Sequence, residues 1–146
     1  GQIEEILGLC EVKPAVLQTE VHPYFQERGL KKFLERAGMV IQAWYPLGHG
    51  DAKLIQEPLF AQLGRKYGKT SAQIILRWHI QAGNIVIPGS KNPDHIRDNF
   101  ALFDFALTEE EMAQIAAMDQ KKRYYTSSPE LLKRYAQMVP PVDEQK

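Results

Sequence analysis

Val16-Leu17-Gln18-Thr19-Glu20-Val21, running on into His22-Pro23-Tyr24, is the stretch on which the fold turns. Its β-branched and apolar residues, set off by Pro14, predict a strand over residues 15 to 21. Gln18, Glu20 and His22 fall at i, i+2 and i+4 and therefore on one face. Strands of parallel sheets are covered on both sides and normally read as nearly continuous apolar runs. Three polar groups in a row must then form a satisfied internal network, meet water at the strand end, or face a ligand.

Helical and strand patterns alternate on either side of this segment. Ile3, Ile6, Leu7 and Cys10 mark an amphipathic helix before it that stops between Gly8 and Lys13, and Leu30, Phe33 and Leu34 mark one over residues 29 to 37, stopped by Gly38. Residues 39 to 44 form a second strand, in which Gln42 and Trp44 share a face; Trp44 taken alone reads as core more often than as site. Beyond the loop from Pro46 to Asp51, residues 58 to 67 are helical and Gly68 ends them. Thr70 with Gln73 forms a capping box for a helix carrying Ile74, Ile75, Trp78 and His79, closed by Gly83. A short third strand covers residues 84 to 87. Asn92-Pro93 starts a helix to Phe100, Thr108 with Glu111 starts another through Ala117, and a weaker helical pattern over residues 129 to 137 precedes Pro140-Pro141. Strands separated by helices imply right-handed crossovers and a parallel α/β sheet. Three strands cannot close an eight-stranded barrel, so the chain is either a small open sheet or part of a barrel.

The chain has 146 residues, with Lys plus Arg at 18 balanced by Asp plus Glu at 18. Neutral charge lacks the basic footprint of a nucleic-acid binder. No stretch approaches the roughly 18 apolar residues of a membrane span. The single cysteine, Cys10, has no internal disulfide partner, which points to a reducing cytoplasm. Length alone suits one domain. The start at Gly1-Gln2-Ile3, running directly into a helical pattern, is nevertheless expected to be a cut inside a larger protein.

The loop Pro88-Gly89-Ser90-Lys91-Asn92-Pro93 joins a strand to a capped helix, where free N–H groups and the helix dipole favour an anion; an ordinary strand-to-helix turn is the competing reading. His79 reads as a packed or half-exposed helix residue. His49, in a glycine-rich loop, either approaches a ligand or is solvated. Neither zinc-ligand spacing nor a phosphate-loop, dinucleotide or nucleophile-elbow motif is present. The acidic run from Glu109 to Glu111 suits the first turn of a helix.

In order along the chain, Gln18-Thr19-Glu20-Val21-His22-Pro23-Tyr24, Ala43-Trp44-Tyr45-Pro46-Leu47-Gly48, Lys69-Thr70-Ser71-Ala72-Gln73-Ile74 with Leu76-Arg77-Trp78, and Val86-Ile87-Pro88-Gly89-Ser90 with Asp98-Asn99 resemble the C-terminal half of the aldo-keto reductases. The similarity runs from about residue 2 to residue 119, and Trp44 brings it nearest to the bacterial diketogluconate and methylglyoxal reductases. It implies a (β/α)8 barrel that reduces aldehydes and ketones with NADPH. This chain would supply strands six to eight with their helices as residues 1–146, and residues 120–146 would form a C-terminal loop and tail. The Pro88 to Pro93 loop falls where such barrels commonly bind phosphate.

By the same resemblance, Gln18 would bond the nicotinamide carboxamide and Trp44 would stack on the ring. Tyr45, Leu47 and Gly48 would follow the pyrophosphate, Ser90 would contact the 2′-phosphate, and Asp98 and Asn99 the adenine. The chain departs from the family where lysine is replaced by Gly89 and arginine by His95. Lys91 and protonated His95 are candidates to compensate, and discrimination between NADPH and NADH is expected to be weaker than is usual for the family. The family's catalytic tyrosine, lysine, aspartate and histidine lie on its first half, whose motifs are absent here. The chain by itself is therefore expected to be inactive and to need the missing half, the carbonyl substrate being its other partner. Tyr124 and Tyr125 either shape the substrate pocket or belong to a surface tail. The alternative reading is a related nucleotide-binding or interaction module without turnover.

Overall fold

The structure is a computed structural model that describes residues 1–50 and 52–138. Pro140 and Pro141, the charged end and Asp51 lie outside the described residues. In chain order the elements are α1 (Gln2–Leu9), β1 (Val16–Glu20), α2 (Arg28–Arg36), β2 (Val40–Trp44), α3 (Ala52–Ile55), α4 (Pro58–Tyr67), α5 (Ser71–Gln81), β3 (Ile85–Val86), α6 (Pro93–Phe100), α7 (Glu109–Ala116) and α8 (Pro129–Ala136). The strands form one parallel sheet in the order β1-β2-β3, with Gln18 opposite Gln42, Glu20 opposite Trp44, and Gln42 opposite Ile85.

Alternation along the strands divides the sheet into two faces. Ile41 and Ala43 point into a core with Leu34 of α2, Phe60 and Leu63 of α4, Ile74, Ile75 and Trp78 of α5 and Ile115 of α7. Each fully buried aliphatic of this group contributes about 1.5 to 3 kcal/mol through the water it sheds. Val16, Gln18 and Val40, on the opposite face, are exposed. The expectation of strands covered on both sides therefore holds for one side only, because among the described residues the helices pack against a single face.

Helix ends follow the residues that flank them. Thr70 and Thr108 each accept the N–H of the residue three positions on, Gln73 and Glu111, and those side chains bond back to the cap. Asn92 caps α6 through Asp94 N–H at 2.9 Å, with proline first in the helix. Gly68, at φ 65°, ends α4. Gly64 lets α4 turn tightly into α5: a Cβ there would lie 2.6 Å from the Lys69 carbonyl oxygen, and Gly64 O accepts from Lys69 N–H at 2.8 Å. Only α3 escapes the sequence pattern, since four residues are too few to show periodicity. It matters nonetheless, because it buries Leu54.

Candidate functional site

Parallel strands deliver their loops to one end of the sheet, and the polar stripe of β1 ends there. Gln18 Nε2 donates to Gln42 Oε1 at 2.8 Å across the open face. Glu20 is buried and accepts the backbone N–H groups of Tyr124 at 2.5 Å and Tyr125 at 3.2 Å, while His22 Nε2 lies 3.1 Å from its Oε1. The carboxylate thus anchors the C-terminal segment over the strand ends. Gln120 and Lys122 donate their N–H groups to Tyr24 O, and Arg123 pairs with Glu27 at 2.7 Å. The stripe combines a buried network around the Glu20 carboxylate with one amide pair on the open face. A carboxylate in the polar stripe of a sheet strand was the signal for this anchor; its partners, a hundred residues away, could not be read from the pattern.

Trp44 stacks on Tyr45 with centroids 3.8 Å apart and planes 20° apart, and meets the edge of Tyr125 at 5.2 Å. Tyr125 and Tyr124 are therefore packed against the strand ends rather than left on a surface tail. Desolvation and a hydrogen bond with Tyr135 of α8 raise the Tyr125 phenol above its ordinary range. Tyr45 packs in turn on His49 at 3.8 Å, and both hold left-handed backbone at φ 54° and 51°. Such conformations are costly for residues other than glycine and persist where the surroundings enforce them. Gly48 N–H closes the turn onto Tyr45 O at 2.9 Å, and a Cβ on Gly48 would lie 2.7 Å from Leu54 Cδ2. His79 is fully buried below the turn, with Nε2 3.2 Å from Pro46 O. Loss of hydration lowers its pKa to about 3, against the opposing effect of the Pro46 bond.

Beside this turn lies a cleft of about 320 Å³ lined by Leu47, Gly89, Ser90, His95, Asp98 and Asn99, together with Ile55, Thr70 and Ala72, to which the sequence reading gave no cofactor contact. Its far wall is α6 with the loop before it. Ser90 Oγ accepts Asn92 N–H at 3.1 Å and retains a hydroxyl proton to donate. Gln73 of α5 fixes α6 by donating to the carbonyls of Asp98 and Ala101 at 3.1 and 3.2 Å. Lys91 is exposed and is not among the lining residues; Arg97, also exposed, pairs with Asp94 at 2.8 Å. Gln18, Trp44, Tyr45 and Gly48 occupy the strand-end group, so the candidate residues form two adjoining clusters joined by the Tyr45–Gly48 turn. Among the described residues no trio of His, Cys, Asp or Glu could hold a metal ion, and no helix is long and apolar enough to cross a membrane.

The aldo/keto reductase family model matches residues 1–120. A 9,11-endoperoxide prostaglandin H2 reductase of Trypanosoma cruzi is 40% identical over 122 residues, which are 83% of this chain and 43% of that protein. The solved aldose reductase of Schistosoma japonicum matches 99% of this chain and 46% of its own at a TM-score of 0.80 and 32% identity. An aldo-keto reductase of Bombyx mori, solved in complex with NADP, matches 86% of this chain and 43% of its own at a TM-score of 0.79 and 32% identity. The chain spans less than half the length of these relatives. Its three strands and their helices are a portion of a (β/α)8 barrel. With four-fifths of its residues under the family model, the chain belongs to the aldo/keto reductase family.

Proposed function

We propose that this chain is the cofactor-binding portion of a carbonyl reductase using NADPH, with NADH as a second donor. One observation carries the reading: six of the candidate contacts, from Leu47 to Asn99, line a single cleft that adjoins the stacked Trp44 and Tyr45. The donor set suits a phosphorylated nucleotide. Ser90 offers a hydroxyl and His95 an imidazole beside the N-terminus of the eight-residue α6. When bound, the nicotinamide supplies the hydride that reduces an aldehyde or ketone. Trp44 would present its flat face to that ring, and Gln18, already oriented by Gln42, would hold the carboxamide. Asp98 and Asn99 would meet the adenine, and Gly89, Ser90, Lys91 and His95 the 2′-phosphate. The proton for the carbonyl oxygen would come from the half of the barrel outside this sequence.

That half is the proposed partner, and an apolar groove of about 410 Å³ lies where it would join. Ile85, Ile87, Phe100 and Phe103 line it beside the free side of β3. Tryptophan at position 44 favours the bacterial diketogluconate and methylglyoxal reductase branch. The test is kcat/KM of the complete protein with each cofactor. Turnover with both is expected, because Gly89 and His95 stand where two permanent cations would bind phosphate. An NADPH preference above about a thousandfold, roughly 4 kcal/mol of phosphate contacts, would rule out relaxed selectivity. Turnover with neither would rule out the reductase reading.

A further inference from the structure

His79 touches neither the cleft nor the open face, yet it holds the turn between them. Its Nδ1 lies 3.3 Å from Asn84 Nδ2, and Asn84 Oδ1 lies 3.5 Å from Lys31 Nζ. Lysine is a donor only, so it selects the Asn84 oxygen; the amide nitrogen, also a donor, then requires a bare Nδ1. The ring proton is left on Nε2, which donates to Pro46 O at 3.2 Å. Pro46 follows left-handed Tyr45 and has no N–H of its own, so its carbonyl is its one polar backbone group; the His79 bond to it adds to the Gly48 N–H bond that closes the turn onto Tyr45 O.

We infer that His79 is a positioning residue for nucleotide binding. Through Pro46 O it sets the Tyr45–Gly48 turn, while Lys31 and Asn84 fix its tautomer from the outer helix layer. The inference rests on the nucleotide reading above. Burial of the imidazole without a carboxylate partner keeps it neutral, which preserves its acceptor toward Asn84.

The test uses the complete protein with H79L, H79Q and N84A, reading NADPH affinity by quenching of tryptophan fluorescence. In H79L the NADPH Kd should rise about tenfold, as expected when a buried carbonyl loses its donor. KM for the carbonyl at saturating NADPH should change less than about twofold, and H79Q, which keeps an N–H donor, should recover most of the affinity. N84A should weaken NADPH binding about threefold by releasing the tautomer. Amide exchange over residues 44 to 50, measured without cofactor, should quicken in H79L and N84A. A folded H79L with wild-type affinity would overturn the inference; if H79L does not fold, wild-type affinity in N84A overturns it. Should the wild-type protein fail to bind NADPH, the nucleotide reading falls. Exchange then still decides whether His79 holds the turn, and an unchanged rate sinks that too.

Discussion

Ile41 and Ala43 are 2% and 3% exposed, while Val40 beside them is 43% exposed and Val16 and Ile85, on the same side as Val40, are 42% and 40%. The two groups have similar side chains on adjoining strand positions, so strand propensity does not separate them. Cover does. One face meets helices with apolar stripes; the other carries Gln18, Gln42 and Trp44 among its valines and isoleucines. In a closed barrel that second face is the interior. The contrast assigns the work of folding these residues to one side of the sheet and leaves the other free for the proposed cofactor.

The largest effect that would test this division is on the covered side. Ile74→Ala should cost about 3 kcal/mol in urea unfolding, the usual cost of emptying a closed aliphatic site. A loss below about 1 kcal/mol would mean that the helix layer is loosely packed. Next comes Glu111, in the same layer. Burial raises its pKa, but hydrogen bonds from Lys66, Tyr67 and Thr108 lower it further, to about 2. A folded-state value below the ordinary 4.5 makes this contribution complete above that pH and lost as pH falls toward 2. His79 follows the same sign from 6.5 toward 3. Unfolding midpoints between pH 7 and 2 should therefore fall in two stages, with E111Q shrinking the lower one, to which Asp104 beside Lys69 also contributes. On the open side, Trp44→Ala should raise the NADPH Kd of the complete protein about tenfold while leaving the unfolding midpoint nearly unchanged. The smallest effect sharpens the comparison most. Val16→Ala should be nearly neutral in this chain alone but cost about 1 to 2 kcal/mol in the complete protein, where the barrel interior covers it. Equal costs in both would show that something already covers the face.

Features set by neighbours in sequence were legible. Capping pairs at Thr70 and Thr108, the Asn92-Pro93 helix start and the glycine stops at 38 and 68 all stand where the residues predict, as do the three strands to within a residue or two at each end. Six residues to which the resemblance gave cofactor contacts share one cleft, Leu47, Gly89 and Ser90 from loops and His95, Asp98 and Asn99 from α6. What was not legible depends on distant partners. Nothing around Glu20 announces the backbone of Tyr124, and nothing around His79 announces Pro46. A helical histidine on an apolar face has the same pattern whether it is packing or holding a turn. The open face was equally hidden, because alternation specifies which residues share a side and not whether that side is covered.

Gly64 has a consequence for mutational tolerance. Any side chain there would push against the Lys69 carbonyl, and the next residue, Thr70, both caps α5 and lines the cleft proposed for the nucleotide. A substitution in the middle of α4 would thus reach the cleft proposed for the nucleotide, although no residue of α4 lines it. In a scan scored by activity, Gly64 would look like a binding residue although its role is to let two helices approach.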